Sequence, residues 1–214
     1  MVFSSMIFLW VFLPAVLAVY ALAPLAAKND ILLAASLIFY AWGEPKYILL
    51  MILSVTINYL FGIALEQKKS RLVLGACVAV NLAILGYFKY FNLFANTLGR
   101  FAGRELLAIR EIALPIGISF YTFQALSYVI DVYRGENRAQ RNYWKLLLYI
   151  SFFPQLIAGP IVKYHDVEEQ IDSRKSTDEK KVYGIKRFIY GLAKKVILST
   201  IWPFTPTRLW MPSC

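Results

Sequence analysis

Long uncharged, apolar runs alternate with short charged clusters along this chain. The stretch from Met1 to Ala27 holds no charged residue, and Tyr47–Leu65 and Ile112–Ile130 each supply 19 uncharged residues. An α-helix needs about 20 apolar residues to cross the hydrocarbon layer of a membrane. Two further runs have suitable lengths, Leu72–Phe88 and Tyr143–Val162, the second with a single charge, Lys145, near its start. The pattern therefore predicts five membrane-spanning helices.

Two segments do not fit a simple crossing. Ile31–Gly43 is uncharged but only 13 residues long, which favours a half-helix, a re-entrant piece or a helix lying in the interface. Lys89–Glu111 mixes basic and apolar residues and suits an interfacial helix as well as a loop. In the first run, Pro14 and Pro24 predict a kink and an end, because proline interrupts the helical hydrogen bonds. That run has no basic residue before Lys28 and a long apolar stretch, so we interpret it as a retained helix rather than a cleaved signal peptide.

The composition indicates that lipid is the solvent for most of the chain. Of the 214 residues, 59% are hydrophobic and 17% are charged, against about 45–50% and about 25% in soluble domains. A soluble globule this apolar could not cover its surface with polar groups. Disordered chains are excluded because they are poor in aromatic residues. The expected fold class is all-α, a polytopic transmembrane helix bundle with short re-entrant or interfacial helices.

The net charge of +10 points to the lipid bilayer rather than to nucleic acid as the partner. Nucleic-acid binding needs basic residues gathered on one solvated face, whereas these form short clusters between uncharged runs. Such clusters are typical of membrane proteins, where Lys and Arg meet anionic headgroups. The clusters at 66–71, 89–111 and 131–145 do not all fall on one side of an up-and-down count. The positive-inside rule therefore leaves the orientation open.

The one clearly aqueous stretch is Lys163–Lys181, which is dense in charges of both signs. Beyond it, apolar residues recur at helical spacing, and basic residues fall largely on the other side. The apolar positions are Ile185, Phe188, Ile189, Leu192, Ala193, Val196 and Ile197, and the basic positions are Lys186, Arg187, Lys194 and Lys195. This pattern predicts a basic amphipathic helix in the headgroup plane. A core-facing helix of a soluble lobe is the alternative.

Several polar residues lie inside the apolar runs, where they are costly unless they face a bundle interior or a wet cavity. For Asn58 and Asn81 we favour hydrogen bonding between helices. Gln124 and Gln155 differ, because Pro and Gly interrupt the backbone near each of them. Asp131 marks the end of a run, directly before a charged loop.

Two stretches, Leu114–Gln124 and Phe152–Val162, are dense in proline, glycine and polar residues. Proline and glycine at membrane depth free backbone N–H and C=O groups, which neighbouring protein or a water-lined cavity must satisfy. Two such interrupted helices suggest a funnel through which a polar group passes, although side-chain packing accounts for the same residues almost as well. The residues expected to line the funnel are Tyr121, Gln124, Asp131, Gln155, Gly159 and Pro160.

Familiar motifs of soluble enzymes do not occur in the 214 residues. There is no Gly-rich phosphate loop, no cysteine pair at metal-binding spacing and no G-x-S-x-G elbow. We therefore assign no catalytic residue, no metal and no bound cofactor. The single histidine, His165, stands in the aqueous stretch, where a solvated residue is favoured over a general base. Cys77 and Cys214 do not imply a disulfide framework.

Three phrases carry a resemblance to a known family. They are PIGISFYTFQALSYVIDVYRGE (115–136), YISFFPQLIAGPIVKY (149–164) and GLAKKVIL (191–198). Together with the opening MVFSSMIFLWVFLP, they resemble the membrane-bound O-acyltransferase superfamily, and within it the bacterial branch that O-acetylates alginate and related exopolysaccharides. The resemblance covers roughly residues 1–198.

The resemblance implies a multi-pass enzyme of the bacterial inner membrane with a funnel crossing the bilayer. An acetyl group from a cytoplasmic donor, such as acetyl-CoA, would move toward periplasmic acetyltransferase partners and then to hydroxyls of the exopolysaccharide. In the family, a buried histidine serves as the general base. A non-enzymatic membrane conduit, or a scaffold for periplasmic transferases, is the alternative function.

The chain departs from the family in two ways. The family's histidines lie in later segments of the R-R-W-H and W-H-G type, neither of which occurs here, and His165 matches neither. Residues 199–214 form an atypical tail whose three prolines argue against a spanning helix. We therefore expect residues 1–198 to be the N-terminal part of the membrane domain, with a tail produced by a frameshift or premature stop. On its own, such a chain would be inactive.

Overall fold

A computed structural model of the chain describes residues 5–101, 114–156, 162–172 and 177–201. For 92–101, 172 and 198–201 it describes the backbone alone. These residues form helices and connecting turns without any strand, so the expected all-α fold is confirmed. The chain divides into two compact units, Met1–Asp172 and Ser173–Cys214.

The first apolar run is divided by its two prolines. A π-helical turn at Phe8–Phe12 leads into α1, Leu13–Leu22, with the N–H of Leu13 donating to the carbonyl of Phe8. Pro14 lies in the first turn of α1 and lacks the N–H that a regular helix would pair with an earlier carbonyl. The helix ends two residues before Pro24, as predicted, and a 3₁₀ turn at Leu25–Ala27 follows.

The next helix is longer than the sequence predicted. Helix α2 spans Lys28–Gly43, and the continuous helical stretch Leu25–Gly43 has 19 residues, enough to cross a membrane. The expectation of a half-helix over Ile31–Gly43 is therefore wrong on length. Counting only uncharged residues removed the first turn, where Asp30 suits the positive end of the helix dipole.

Helices α3, Ile48–Gln67, and α4, Arg71–Phe101, form an antiparallel pair joined by a short turn. Two more candidate crossings lie here, Ile48–Gln67 and Arg71–Phe91. The predicted separate segment from Lys89 onward is wrong as far as residue 101, because α4 continues through Lys89 without a break. Residues 102–113 lie outside the described part of the chain.

The remaining predicted crossings are shorter or interrupted. Helix α5 spans Ile118–Arg134, 17 residues between Gly117 and Gly135, whose φ angles are 77° and 80°. Helix α6, Tyr143–Ser151, stops at Phe152, and the four-residue α7, Phe153–Leu156, follows. Helix α8 spans Tyr164–Asp172. Among the described residues, three helices rather than five are long and apolar enough to cross a membrane.

The first unit is apolar outside and partly polar inside. Large apolar side chains face outward on four helices: Leu22, Trp42, Leu49, Leu60 and Leu72 are each more than 60% exposed. The buried polar side chains of this unit are Ser36, Ser54, Asn58, Asn81, Thr122, Gln124, Asp131, Asn137 and Ser151. This distribution suits a lipid solvent, which accepts an apolar exterior and drives polar groups inward.

The second unit contains helix α9, Asp178–Ile201, which confirms a helix where the amphipathic pattern predicted one. Its first turn is capped by Thr177, whose Oγ1 accepts the N–H of Lys180 at 3.4 Å. A hydrogen bond from Lys181 Nζ, 2.7 Å from Asp178 Oδ1, and the positive charge of the ammonium lower the pKa of this carboxyl. The location of the helix in the headgroup plane stays a prediction.

Candidate functional site

The interruption of α6 is resolved by side chains from two other helices. In an unbroken helix the N–H of Phe153 would donate to the carbonyl of Tyr149, four residues earlier. Instead, the N–H of Phe153 donates to Ser36 Oγ on α2 at 3.2 Å, and the Tyr149 carbonyl accepts from Gln124 Nε2 on α5 at 2.9 Å. These two backbone groups, freed by the break, are therefore satisfied inside the protein, as lipid requires.

The two irregular stretches that the sequence singled out meet in space. Gly117, in the turn before α5, lies so close to the end of α7 that a Cβ on it would be 3.0 Å from the carbonyl oxygen of Leu156. Its φ of 77° also belongs to the left-handed region that favours glycine. We call this place the junction: residues 114–124, which form the turn and the start of α5, together with residues 152–156, which form the break after α6 and helix α7.

Polar side chains form a stripe along the buried face of α5. The stripe consists of Tyr121, Gln124, Tyr128 and Asp131, all buried. At 100° per residue these positions fall within about 80° of one another, so they share one face of the helix. Tyr128 Oη accepts the N–H of Gln140 at 2.9 Å and packs against Gly62 on α3. The stripe therefore leads from the junction to the far end of α5.

Several buried polar atoms make no hydrogen bond with any described residue. They are the hydroxyls of Tyr40, Tyr121 and Thr122, Asp131 Oδ2, Gln155 Nε2 and the side-chain amide of Asn137. The hydroxyls of Tyr40 and Tyr121 lie close to each other, but their geometry falls outside that of an ordinary hydrogen bond. An unsatisfied buried polar group costs about 1–3 kcal/mol of stability. Several such groups close together therefore favour the binding of a polar ligand, which supplies the missing hydrogen-bond partners.

The structure places the predicted funnel residues at different heights. Tyr121, Gln124 and Gln155 belong to the junction, whereas Asp131 lies ten residues farther along α5, about 15 Å away at 1.5 Å per residue. Gly159 and Pro160 lie outside the described residues. Gln124 makes a structural hydrogen bond, while Tyr121 and Gln155 retain unpartnered polar atoms.

Sequence reasoning missed Ser36 and Tyr40, which α2 places beside the junction. Both are buried and lie four residues apart, on one face of the helix. Two hydroxyl residues at this spacing within the apolar run 31–43 were the signal that could have found them. Thr122, also missed, follows Tyr121 directly and is 1% exposed.

The asparagines between α3 and α4 have the role predicted for them. Asn58 Nδ2 donates to Asn81 Oδ1 at 2.9 Å, and Asn81 Nδ2 donates back to Asn58 Oδ1 at 3.0 Å. The thiol of Cys77 lies 3.5 Å from Asn58 Oδ1. This cluster is fully hydrogen-bonded and ties the two helices together.

The described residues hold no group of three or more His, Cys, Asp or Glu side chains that could bind a metal ion. His165, near the start of α8, is exposed. The described side chains of the junction offer hydroxyl and amide groups, which can hold and orient a neutral polar group.

Helices of crossing length, an apolar exterior and a polar interior define an α-helical integral membrane protein. The chain belongs to the membrane-bound O-acyltransferase (MBOAT) family, whose sequence model matches residues 63–212. This confirms the family resemblance of the three phrases.

Individual relatives show which members of the family the chain is similar to. The chain is 40% identical over 209 residues to the probable alginate O-acetylase AlgI of Azotobacter vinelandii, covering 93% of this chain and 42% of that protein. Its identity to the probable alginate O-acetylase AlgI of Pseudomonas aeruginosa is also 40%, covering 93% and 40%. It is 29% identical to the peptidoglycan O-acetyltransferase of Helicobacter pylori, covering 93% and 44%. The chain thus spans about two fifths of the length of these relatives. No solved structure matches it.

Proposed function

We propose that this chain is the N-terminal part of a membrane O-acetyltransferase that modifies an exopolysaccharide such as alginate. The observation that carries the proposal is the junction, where two interrupted segments meet beside unpartnered buried polar groups. The 40% identity to proteins named as probable alginate O-acetylases supports the acetyl group and the polysaccharide class. Its location would be the bacterial inner membrane.

The role proposed for the junction is to hold and pass an acetyl group. An acetyl carbonyl oxygen needs hydrogen-bond donors, and Tyr121 and Thr122 hydroxyls and Gln155 Nε2 are donors with no partner among the described residues. In the transfer itself, a hydroxyl oxygen bonds to the acetyl carbon, the donor group leaves, and a base takes the hydroxyl proton. We assign no such base among the described residues, because His165 is exposed and lies outside the junction.

The acetyl donor would be cytoplasmic, such as acetyl-CoA, and the acceptors would be periplasmic transferase partners and then the polymer. A membrane conduit or scaffold without chemistry of its own is the competing proposal. It shares the junction and differs in requiring no acetyl transfer by any protein built on this chain.

The test uses a Pseudomonas aeruginosa strain deleted for its own AlgI. One strain expresses the 214 residues alone, and another expresses a chimera in which residues 1–198 replace the corresponding part of the P. aeruginosa protein. We expect the O-acetyl content of secreted alginate to stay at background with the chain alone and to be restored by the chimera. Acetylation by the 214 residues alone would overturn the proposal that this chain is only one part of the enzyme. A membrane-inserted chimera that never acetylates, while the chain still retains a periplasmic transferase in a pull-down, would favour the scaffold.

A further inference from the structure

Two basic loops that are far apart in sequence lie at the same end of the first unit. Glu66, at the end of α3, pairs with Arg141 at 2.6 Å and accepts the N–H of Ala139 at 3.3 Å. Lys69 Nζ lies 2.8 Å from the position that a Cβ on Gly135 would occupy. The turn between α3 and α4 therefore sits beside the loop between α5 and α6.

The start of α2 lies at this end as well. Asn29 Nδ2 donates to the carbonyl of Ile171 at 3.0 Å, near the end of α8. Helix α8 begins at Tyr164, whose hydroxyl accepts from Gln140 Nε2 in the loop between α5 and α6. Lys163, just before it, pairs with Glu136 of the same loop at 3.5 Å. These contacts bring the start of α2, the ends of α3 and α5 and helix α8 together.

These contacts show which basic clusters share one end of the first unit, which the sequence alone left open. We call the shared end the basic end. Its basic residues are Lys28, Lys68, Lys69, Arg71, Arg134, Arg138, Arg141 and Lys163. The opposite end has the turn between α2 and α3 with Lys46, and Lys89 follows Phe88, whose ring contacts that of Tyr47. Arg100, close to the end of α4, also lies at this end.

Among the described residues, eight basic residues at the basic end stand against three at the opposite end, and this difference decides the orientation. Loops rich in Lys and Arg stay in the cytoplasm, while acidic residues have little influence on topology. The inner leaflet, with its anionic headgroups, also attracts such residues. The N-terminal stretch agrees, because the end of α1 lies beside the start of α2, where Lys28 Nζ is 4.9 Å from the centre of the Tyr20 ring.

We propose that the basic end faces the cytoplasm against anionic lipid headgroups, and that the turn at residues 44–47 faces the periplasm. The start of α5, and with it the junction, then lies toward the periplasmic side, while Asp131 lies toward the cytoplasm. The orientation itself follows from contacts and charges and does not depend on the proposed function. Only the identity of a group that passes along the stripe rests on that function.

Two single-cysteine variants test the orientation. In a Cys214→Ser background, Lys46→Cys and Arg138→Cys each remove one exposed basic residue from opposite ends. Spheroplasts are treated with a membrane-impermeant maleimide before and after disruption. We expect Lys46→Cys to be labelled at least fivefold more than Arg138→Cys in intact spheroplasts, and both to be labelled equally after disruption. The background protein, with Cys77 buried, is the control for non-specific labelling.

The opposite ranking in intact spheroplasts would overturn the orientation. Equal labelling of the two variants before disruption would overturn it too, because both ends would then lie on one side. None of these outcomes depends on acetylation, so failure of the orientation and failure of the proposed function are distinguishable.

Discussion

At the scale of single residues, the buried polar side chains divide into two groups. Asn58, Asn81 and Gln124 are hydrogen-bonded between helices. Tyr121 and Gln155 keep polar atoms that no described residue satisfies. The sequence could identify all five as polar residues within apolar runs, but could not divide them, because the division depends on which helices become neighbours.

The asparagine pair is predicted to couple α3 to α4. Asn81→Leu leaves the Asn58 amide without its partner, and we expect the free energy of unfolding to fall by about 1 kcal/mol. The double variant Asn58→Leu/Asn81→Leu removes both amides and is expected to lose less than the sum of the two single variants. Thermal unfolding in detergent, followed by tryptophan fluorescence, measures the difference. Strict additivity of the single variants would contradict the coupling.

At the scale of elements, the sequence prediction placed two helix boundaries wrongly, because it took charged residues as the ends of helices. Lys28 and Asp30 lie in the first turn of α2, and Lys89 lies within α4, so a search for uncharged runs began α2 too late and ended α4 too early. A long Lys side chain can extend its ammonium group toward the headgroups and need not end a helix. The break at Phe152 was foreseen in kind, because Pro154 has no N–H to donate and suits the first turn of a new helix.

The packing of α3 on α5 provides a prediction at this scale. A Cβ on Gly62 would lie 3.1 Å from Cε1 and 3.2 Å from Oη of the buried Tyr128. Gly62→Ala therefore overpacks the interface, and we expect a loss of about 1–3 kcal/mol in the free energy of unfolding. Gly86→Ala on α4 is the matched control, because nothing lies within 4 Å of its Cβ position. Equal unfolding temperatures for the two variants would show that α3 and α5 do not pack as described.

At the scale of the whole molecule, the membrane class, the family and the helical fold could be predicted from sequence. These properties depend on composition and on short sequence motifs, which can be recognised without knowing which residues are in contact. The orientation could not be predicted, because Glu66 and Arg141 are 75 residues apart in sequence and meet only in the fold. The junction was half predicted: both irregular stretches were recognised, while the contributions of Ser36 and Tyr40 depend on where α2 packs.

The measurement that most directly tests the account compares junction variants in the chimera with the P. aeruginosa protein. Tyr121→Phe and Gln155→Leu remove polar atoms that make no hydrogen bond with the described residues, so neither should lower the unfolding temperature. We expect each to reduce the O-acetyl content of alginate at least tenfold, at equal protein in the membrane. Gln124→Leu is the contrasting control, because it leaves the Tyr149 carbonyl without its donor and should lower stability. Unchanged acetylation by both Tyr121→Phe and Gln155→Leu would contradict the claim that the junction holds the acetyl group.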